Sequence, residues 1–121
     1  MDYIFDNNRP IYIQLVEMLR IKIISGKLKS GERIPSVREL ALTAKVNPNT
    51  MQKALAELEA EGLVYTERTN GKFVTEDKAL ILKYKEEYAD ELSKKYFANM
   101  QNIGFDKEEA IKYLSQSGGK K

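Results

Sequence analysis

Apolar residues near the start of the chain fall at helical spacing. Ile11, Leu15, Met18, Leu19 and Ile23 form one face. Pro10 suits a first helical turn, where its missing N–H would be unpaired anyway. Gly26 ends that helix. A turn containing Lys29-Ser30-Gly31 leads to Ile34-Pro35. Ser36-Val37-Arg38-Glu39 then matches a capping box, in which the Ser hydroxyl and the Glu carboxylate satisfy each other's orphan N–H groups. A short second helix is predicted over about 37–44, with Leu40 and Ala41 inward. Val46 fills the following turn. Asn47 caps a third helix and Pro48 takes its first position. Met51, Ala54, Leu55 and Leu58 stand at i, i+3, i+4 and i+7, so that face packs on the core, and Gly62 ends the helix after Glu61.

The period then changes from helix to strand. A β-rich run at 63–67 and a second at 72–75 flank Arg68-Thr69-Asn70-Gly71, and Asn-Gly between such runs is a strong hairpin signal. A long helix follows over about 76–101, because Ile81, Tyr84, Tyr88, Leu92, Tyr96 and Met100 recur every three or four residues. It should span roughly 37 Å. Asp90 with Lys94 and Glu91 with Lys95 are favourable pairs on its wet side. Gly104 breaks it, and Asp106 with Glu109 caps a last short helix with Ala110, Ile111 and Leu114 inward. The tail 118–121 is expected to fray. The predicted fold is therefore mostly α with a small β-hairpin. A winged helix-turn-helix at 1–75 is followed by a C-terminal region at 76–121, made of a long and a short helix.

Composition narrows what such a fold can do. With 121 residues, 42% hydrophobic and 31% charged, the chain is an ordinary globular protein. It has no Cys and no His, which removes disulfides, thiolate or imidazole metal sites and the usual nucleophile–base pairs. No metal or other cofactor is implied. The acidic pairs Glu86-Glu87 and Glu108-Glu109 read as solvated helix faces, and nothing unites a nucleophile, a base and a pocket, so an enzyme is not expected. No apolar run approaches the ~20 residues of a membrane helix. The opening Met1-Asp2-Tyr3 is not a signal peptide, so a cytoplasmic location fits.

Net charge is only +2, but its distribution is uneven. Between residues 33 and 55, Arg33, Arg38, Lys45 and Lys53 face the single anion Glu39, and Glu57, Glu59 and Glu61 follow directly. Helix three adds a polar face opposite its core face, at Asn49, Gln52, Lys53 and Ala56 with Thr50 beside them. In a helix-turn-helix the first turns of this helix enter the major groove. Asn and Gln can pair with adenine there, and Lys with guanine or phosphate. Any amphipathic helix has a polar outer face; the surrounding helix order and hairpin favour DNA. Arg38 is placed to clamp a phosphate or reach a base edge. Ser36 could add a phosphate bond, though capping already explains it. Arg68 and Lys72 flank the hairpin tip, where a wing meets the DNA backbone or minor groove, or where charge serves solubility alone.

These residues also resemble a known family. Pro10-Ile11-Tyr12-x-Gln14-Leu15 opens the pattern. Ile23-x-x-Gly26-x-Leu28-x-x-Gly31-x-Arg33-Ile34-Pro35-Ser36-x-Arg38-Glu39-Leu40-Ala41 and Val46-Asn47-x-x-Thr50 continue it. Leu58-Glu59-x-Glu61-Gly62-Leu63-Val64 and Gly71-Lys72-Phe73-Val74 close it. Over about 9–75 the chain resembles the DNA-binding half of GntR-family bacterial regulators. Its short remainder is similar to the YtrA-type subfamily. The resemblance implies DNA contacts at Arg38, Asn49, Thr50 and Gln52 and in the wing at 68–72. It also implies a homodimer joined through the C-terminal helices, and often repression of operons encoding ABC-type transporters. Two positions depart from the pattern: Pro48 stands where many members have Arg, and Thr69 where the wing often has Gly.

The expected partners are therefore double-stranded DNA and a second copy of the chain, with no membrane. The stripe Ile81, Tyr84, Tyr88, Leu92, Tyr96 and Met100 is expected to pack on that copy; the alternative is that it folds back on its own winged helix. Two recognition helices would then meet half-sites roughly 34 Å apart on a palindromic operator. A small-molecule effector is possible in principle, beside Tyr84 and Tyr88, but no site is assigned to it. The rival function is a winged helix that binds only protein.

Overall fold

A computed structural model describes residues 3–117, so the expected fraying at 118–121 lies outside the described residues. The element order is α1 (Ile11–Ile24), α2 (Val37–Ala44), α3 (Pro48–Ala60), β1 (Val64–Glu67), β2 (Gly71–Val74), α4 (Lys78–Asn102) and α5 (Lys107–Ser117). This is the winged-helix order anticipated from the sequence, followed by two helices.

Pro10 stands one position before α1 as its N-cap, at φ −57° and ψ 136°. Leu15, Leu19 and Ile23 are buried as expected, whereas Ile11 is 40% exposed. In its place the helix buries Gln14, whose amide is fully engaged. Its Oε1 accepts from Asp6 N at 2.6 Å, and its Nε2 donates to Asp6 O at 2.6 Å and Arg9 O at 2.8 Å. A buried amide left unpaired would cost about 1–3 kcal/mol, so these bonds fix the incoming segment against α1.

The capping box at α2 forms in full: Glu39 N donates to Ser36 Oγ at 3.1 Å, and Ser36 N donates to Glu39 Oε1 at 3.3 Å. Lys45 ends α2 in the left-handed conformation, φ 58° and ψ 46°, which lets the chain turn sharply into α3. Val46 is half-buried beneath that turn. Asn47 Oδ1 accepts from Asn49 N at 2.7 Å and Pro48 opens the helix. Met51, Ala54, Leu55 and Leu58 are all at most 1% exposed, at the centre of the core.

Strands β1 and β2 pair antiparallel, with Val64 opposite Val74 and Glu67 opposite Gly71. The Asn-Gly pair does not form a two-residue turn. Asn70 N donates to Glu67 O at 3.2 Å, and Gly71, at φ +97°, resumes the ladder after a three-residue loop. The segment before α2 lies along β2: Val74 N donates to Glu32 O at 2.9 Å and Ile34 N to Lys72 O at 2.8 Å. Arg33 bridges Phe73 in the same stretch.

The chain divides into two compact units, Met1–Tyr84 and Lys85–Lys121. The boundary lies beyond the expected 75/76 because Leu80, Ile81 and Tyr84, in the first turns of α4, pack against the winged-helix core. Ile81 and Tyr84, expected in the dimer stripe, thus pack in part on their own domain. Within the second unit, Tyr96 OH donates to Ala110 O at 2.9 Å, and Phe105 lies 6.0 Å from Tyr113. Asp106 and Glu109 exchange the expected capping bonds at α5. Ala110 is buried, but Ile111 and Leu114, expected inward, are each 49% exposed. Among the described residues no helix is long and apolar enough to cross a membrane.

Candidate nucleic-acid interface

The capped start of α3 presents the side chains that the sequence assigned to DNA. Asn49, Gln52 and Lys53 are exposed, Thr50 is half-buried, and Ala56 continues the outer face. Arg38 is exposed on α2. Among the described residues, neither Arg38 nor the Gln52 side chain has a hydrogen bond or ion pair. Groups left uncommitted in this way keep their bonding capacity for a base edge or a phosphate.

Lys53 leans away from the centre of that face. Its Nζ lies 4.4 Å from the centroid of the Tyr12 ring on α1, a cation–π contact. The Tyr12 hydroxyl in turn donates to Glu57 Oε1 at 3.3 Å. Desolvation first, and then the Glu57 charge, push the phenol's pKa up. Ser36 is exposed, but its Oγ already accepts the capping bond, which leaves the hydroxyl proton as its remaining donor.

The wing presents its two expected cations differently. Arg68 is exposed at the hairpin tip with no ion pair among the described residues. Lys72, expected at the wing's DNA surface, is turned back onto the protein. Its Nζ reaches Glu59 Oε1 at 3.1 Å and Thr66 Oγ1 at 3.0 Å. Thr66 Oγ1 donates to Glu59 Oε2 at 2.9 Å, closing a three-membered cluster of α3, β1 and β2. The Thr66 hydrogen bond and then the Lys72 ammonium hold the Glu59 carboxyl below its ordinary pKa. The cause is local: strand alternation sends Lys72 to the face that meets α3, where Glu59 stands.

Arg33 has a role that sequence reasoning noticed only as charge. Its Nε donates to Asn70 O at 2.8 Å. A Cβ at Gly71 would lie 3.3 Å from the same Nε. The guanidinium thus lies against the back of the wing tip. Nothing near Arg33 in sequence signals this, since its partner is 37 positions away. An open groove between the start of α2 and the hairpin is lined by Arg33, Ser36, Arg68 and Lys72 among others. No cluster of metal-ligating residues occurs among the described residues.

Comparison with known proteins agrees with this architecture. The family description "Bacterial regulatory proteins, gntR family" matches residues 11–74. The HTH-type transcriptional repressor YtrA of Bacillus subtilis (strain 168) is 32% identical over 95% of this chain and 93% of its own length. A GntR family transcriptional regulator from Listeria monocytogenes has a similar structure, with TM-score 0.82 and 38% identity over 93% of this chain and 98% of its own. The DNA-binding domain of AraR, solved in complex with operator ORX1, matches with TM-score 0.55 and 30% identity over 60% of this chain and 93% of its own. With the exposed face of α3 framed by a capped α2 and a braced wing, the chain belongs to the GntR family of DNA-binding transcription regulators, in its YtrA-type branch, and is not an enzyme.

Proposed function

We propose that this regulator is a repressor that binds a palindromic operator as a homodimer and reads it with Arg38, Asn49, Thr50 and Gln52. The observation that carries the proposal is the uncommitted polar surface at the start of α3 and α2, where the Arg38 and Gln52 side chains have no partner among the described residues. Arg68 supplies a backbone contact from the wing, and Lys53 and Ser36 supply weaker ones at the edges. The named repressor role of the Bacillus relative and the operator complex of the AraR domain support this reading.

The homodimer is supported by apolar surface that one protomer leaves uncovered. In the second unit Leu92 is 67% exposed and Ile103 70%, and Ile111 and Leu114 are half-exposed. Such surface favours a partner when it is contiguous. Tyr88 and Met100 are half-buried, and Tyr96 is engaged with Ala110, so the dimer contact centres on Leu92 and the outer face of α5. Resemblance to the YtrA-type branch points to a transporter operon as the target. A transporter ATPase and permease encoded beside this gene would agree with it.

The test is a mobility shift against the promoter of its own operon and a scrambled duplex of equal length. Arg38→Ala and Gln52→Ala are each expected to weaken operator binding by about 1–3 kcal/mol, the size of a lost base contact, with little change on the scrambled duplex. Equal affinity for both duplexes, or an operator affinity that survives both substitutions, would sink specific readout and favour a protein-binding winged helix.

A further inference from the structure

We infer that Glu59, Thr66 and Lys72 form a clamp that sets the wing's position on the recognition helix, and that Lys72 acts on DNA only through this clamp. The inference rests on the DNA-reading function above and assigns a positioning role to three residues. Each comes from a different element: Glu59 from α3, Thr66 from β1 and Lys72 from β2. Every polar atom in the set is used. Lys72 Nζ spans Glu59 Oε1 and Thr66 Oγ1, and the Thr66 hydroxyl fills Glu59 Oε2.

The geometry matters because a two-stranded hairpin is floppy by itself. Backbone bonds from residues 32–34 steady β2, and side-chain bonds are what tie β1 and the tip to their neighbours. The clamp holds the wing to α3 one residue pair from its tip, and Arg33 Nε holds the tip itself through Asn70 O. Arg68 lies in the loop between these two fixings. Its reach into the DNA backbone or minor groove is therefore set by bonds that do not touch DNA. Charge gives the same answer. The Lys72 side chain is only 19% exposed and already pairs with a carboxylate, so a phosphate would have to displace Glu59, an anion on the recognition helix itself.

A direct contact and a positioning clamp predict opposite signs for one substitution. Glu59→Gln removes a negative charge beside DNA, so electrostatics alone predicts tighter binding. The clamp predicts weaker operator binding, on the order of fivefold, the scale of a partly exposed ion pair. Full-length wild type, Glu59→Gln, Lys72→Gln, the double variant and Lys72→Arg would be titrated against the operator at several salt concentrations, with thermal melting as the fold control. The clamp predicts that both single Gln variants weaken binding, that the double variant is no worse than either, and that Lys72→Arg restores wild-type affinity. The slope of log K against log salt falls by about one counterion in both Glu59→Gln and Lys72→Gln, because either change releases Arg68 from its phosphate. Hydroxyl-radical protection should be lost at the operator flanks under the wing and kept under α3.

Tighter binding by Glu59→Gln, or a salt slope lowered in Lys72→Gln while Glu59→Gln keeps the wild-type slope, would overturn the clamp and make Lys72 a phosphate contact. Unchanged affinity in both single variants overturns it as well. If Glu59→Gln does not fold, Thr66→Val takes its place: it removes the bridging hydroxyl without changing charge, so weaker operator binding supports the clamp and unchanged affinity overturns it. A failure confined to these variants leaves the DNA-reading function intact. Wild type without operator preference would remove both.

Discussion

Glu59 is an acid near the end of the proposed recognition helix, and its charge is offset within the protein. The structure supplies Thr66 and Lys72, and the Glu59 pKa falls below its ordinary 4.5 as a result. The sign follows from linkage: a depressed carboxyl stabilises the fold fully above its ordinary value, and that contribution fades as pH drops through the depressed one. With no His in the chain, operator affinity should stay flat between about pH 6 and pH 8. A carboxyl-carbon NMR titration of the free protein should place Glu59 below 4.5; a value at or above it would mean the cluster does not form in solution. Lys72 shows how far single residues were legible. Its position on a strand was plain from the sequence, but its partner lay on another element. Gln14 is similar: its two acceptors are backbone carbonyls of a segment without regular structure, and no side-chain pattern marks them.

Elements whose signals are local were legible almost to the residue. The Ser36–Glu39 box and the Asn47-Pro48 start define α2 and α3, because a cap and its N–H groups lie within three positions of each other. The hairpin was legible as a hairpin, but its turn was not. Three loop residues precede Gly71, which carries the positive φ alone. Gly71→Ala should therefore cost about 1–2 kcal/mol through backbone strain. The close Arg33 guanidinium is a flexible side-chain end that can shift, so strain rather than collision sets the cost. Thermal denaturation would measure it as a drop of roughly 4–8 °C per kcal/mol in a unit of this size; an unchanged midpoint would contradict the assigned turn. The wing should also become less ordered, at the expense of Arg68.

At the scale of the molecule, the sequence stripe on α4 proved to serve more than one surface. Ile81 and Tyr84 complete the first unit's core, with the Arg20 guanidinium 5.8 Å from the Tyr84 ring. Tyr96 braces α5, and Leu92 remains uncovered. Helical periodicity shows that a face is apolar; it does not say which neighbour covers it, because that depends on contacts far apart in sequence. In the proposed complex a braced wing and a lightly charged recognition helix are joined to a second copy of the chain, and tight binding arises from two linked half-site contacts. The most direct test is selection from a random duplex pool by the full-length protein, with the protein-to-DNA ratio of the selected complex measured by sedimentation. The expected result is an inverted repeat whose half-sites are centred roughly one helical turn, about 34 Å, or a multiple of it apart, with two protomers bound per duplex. A single unpaired half-site bound by one protomer, or no enriched sequence, would contradict it.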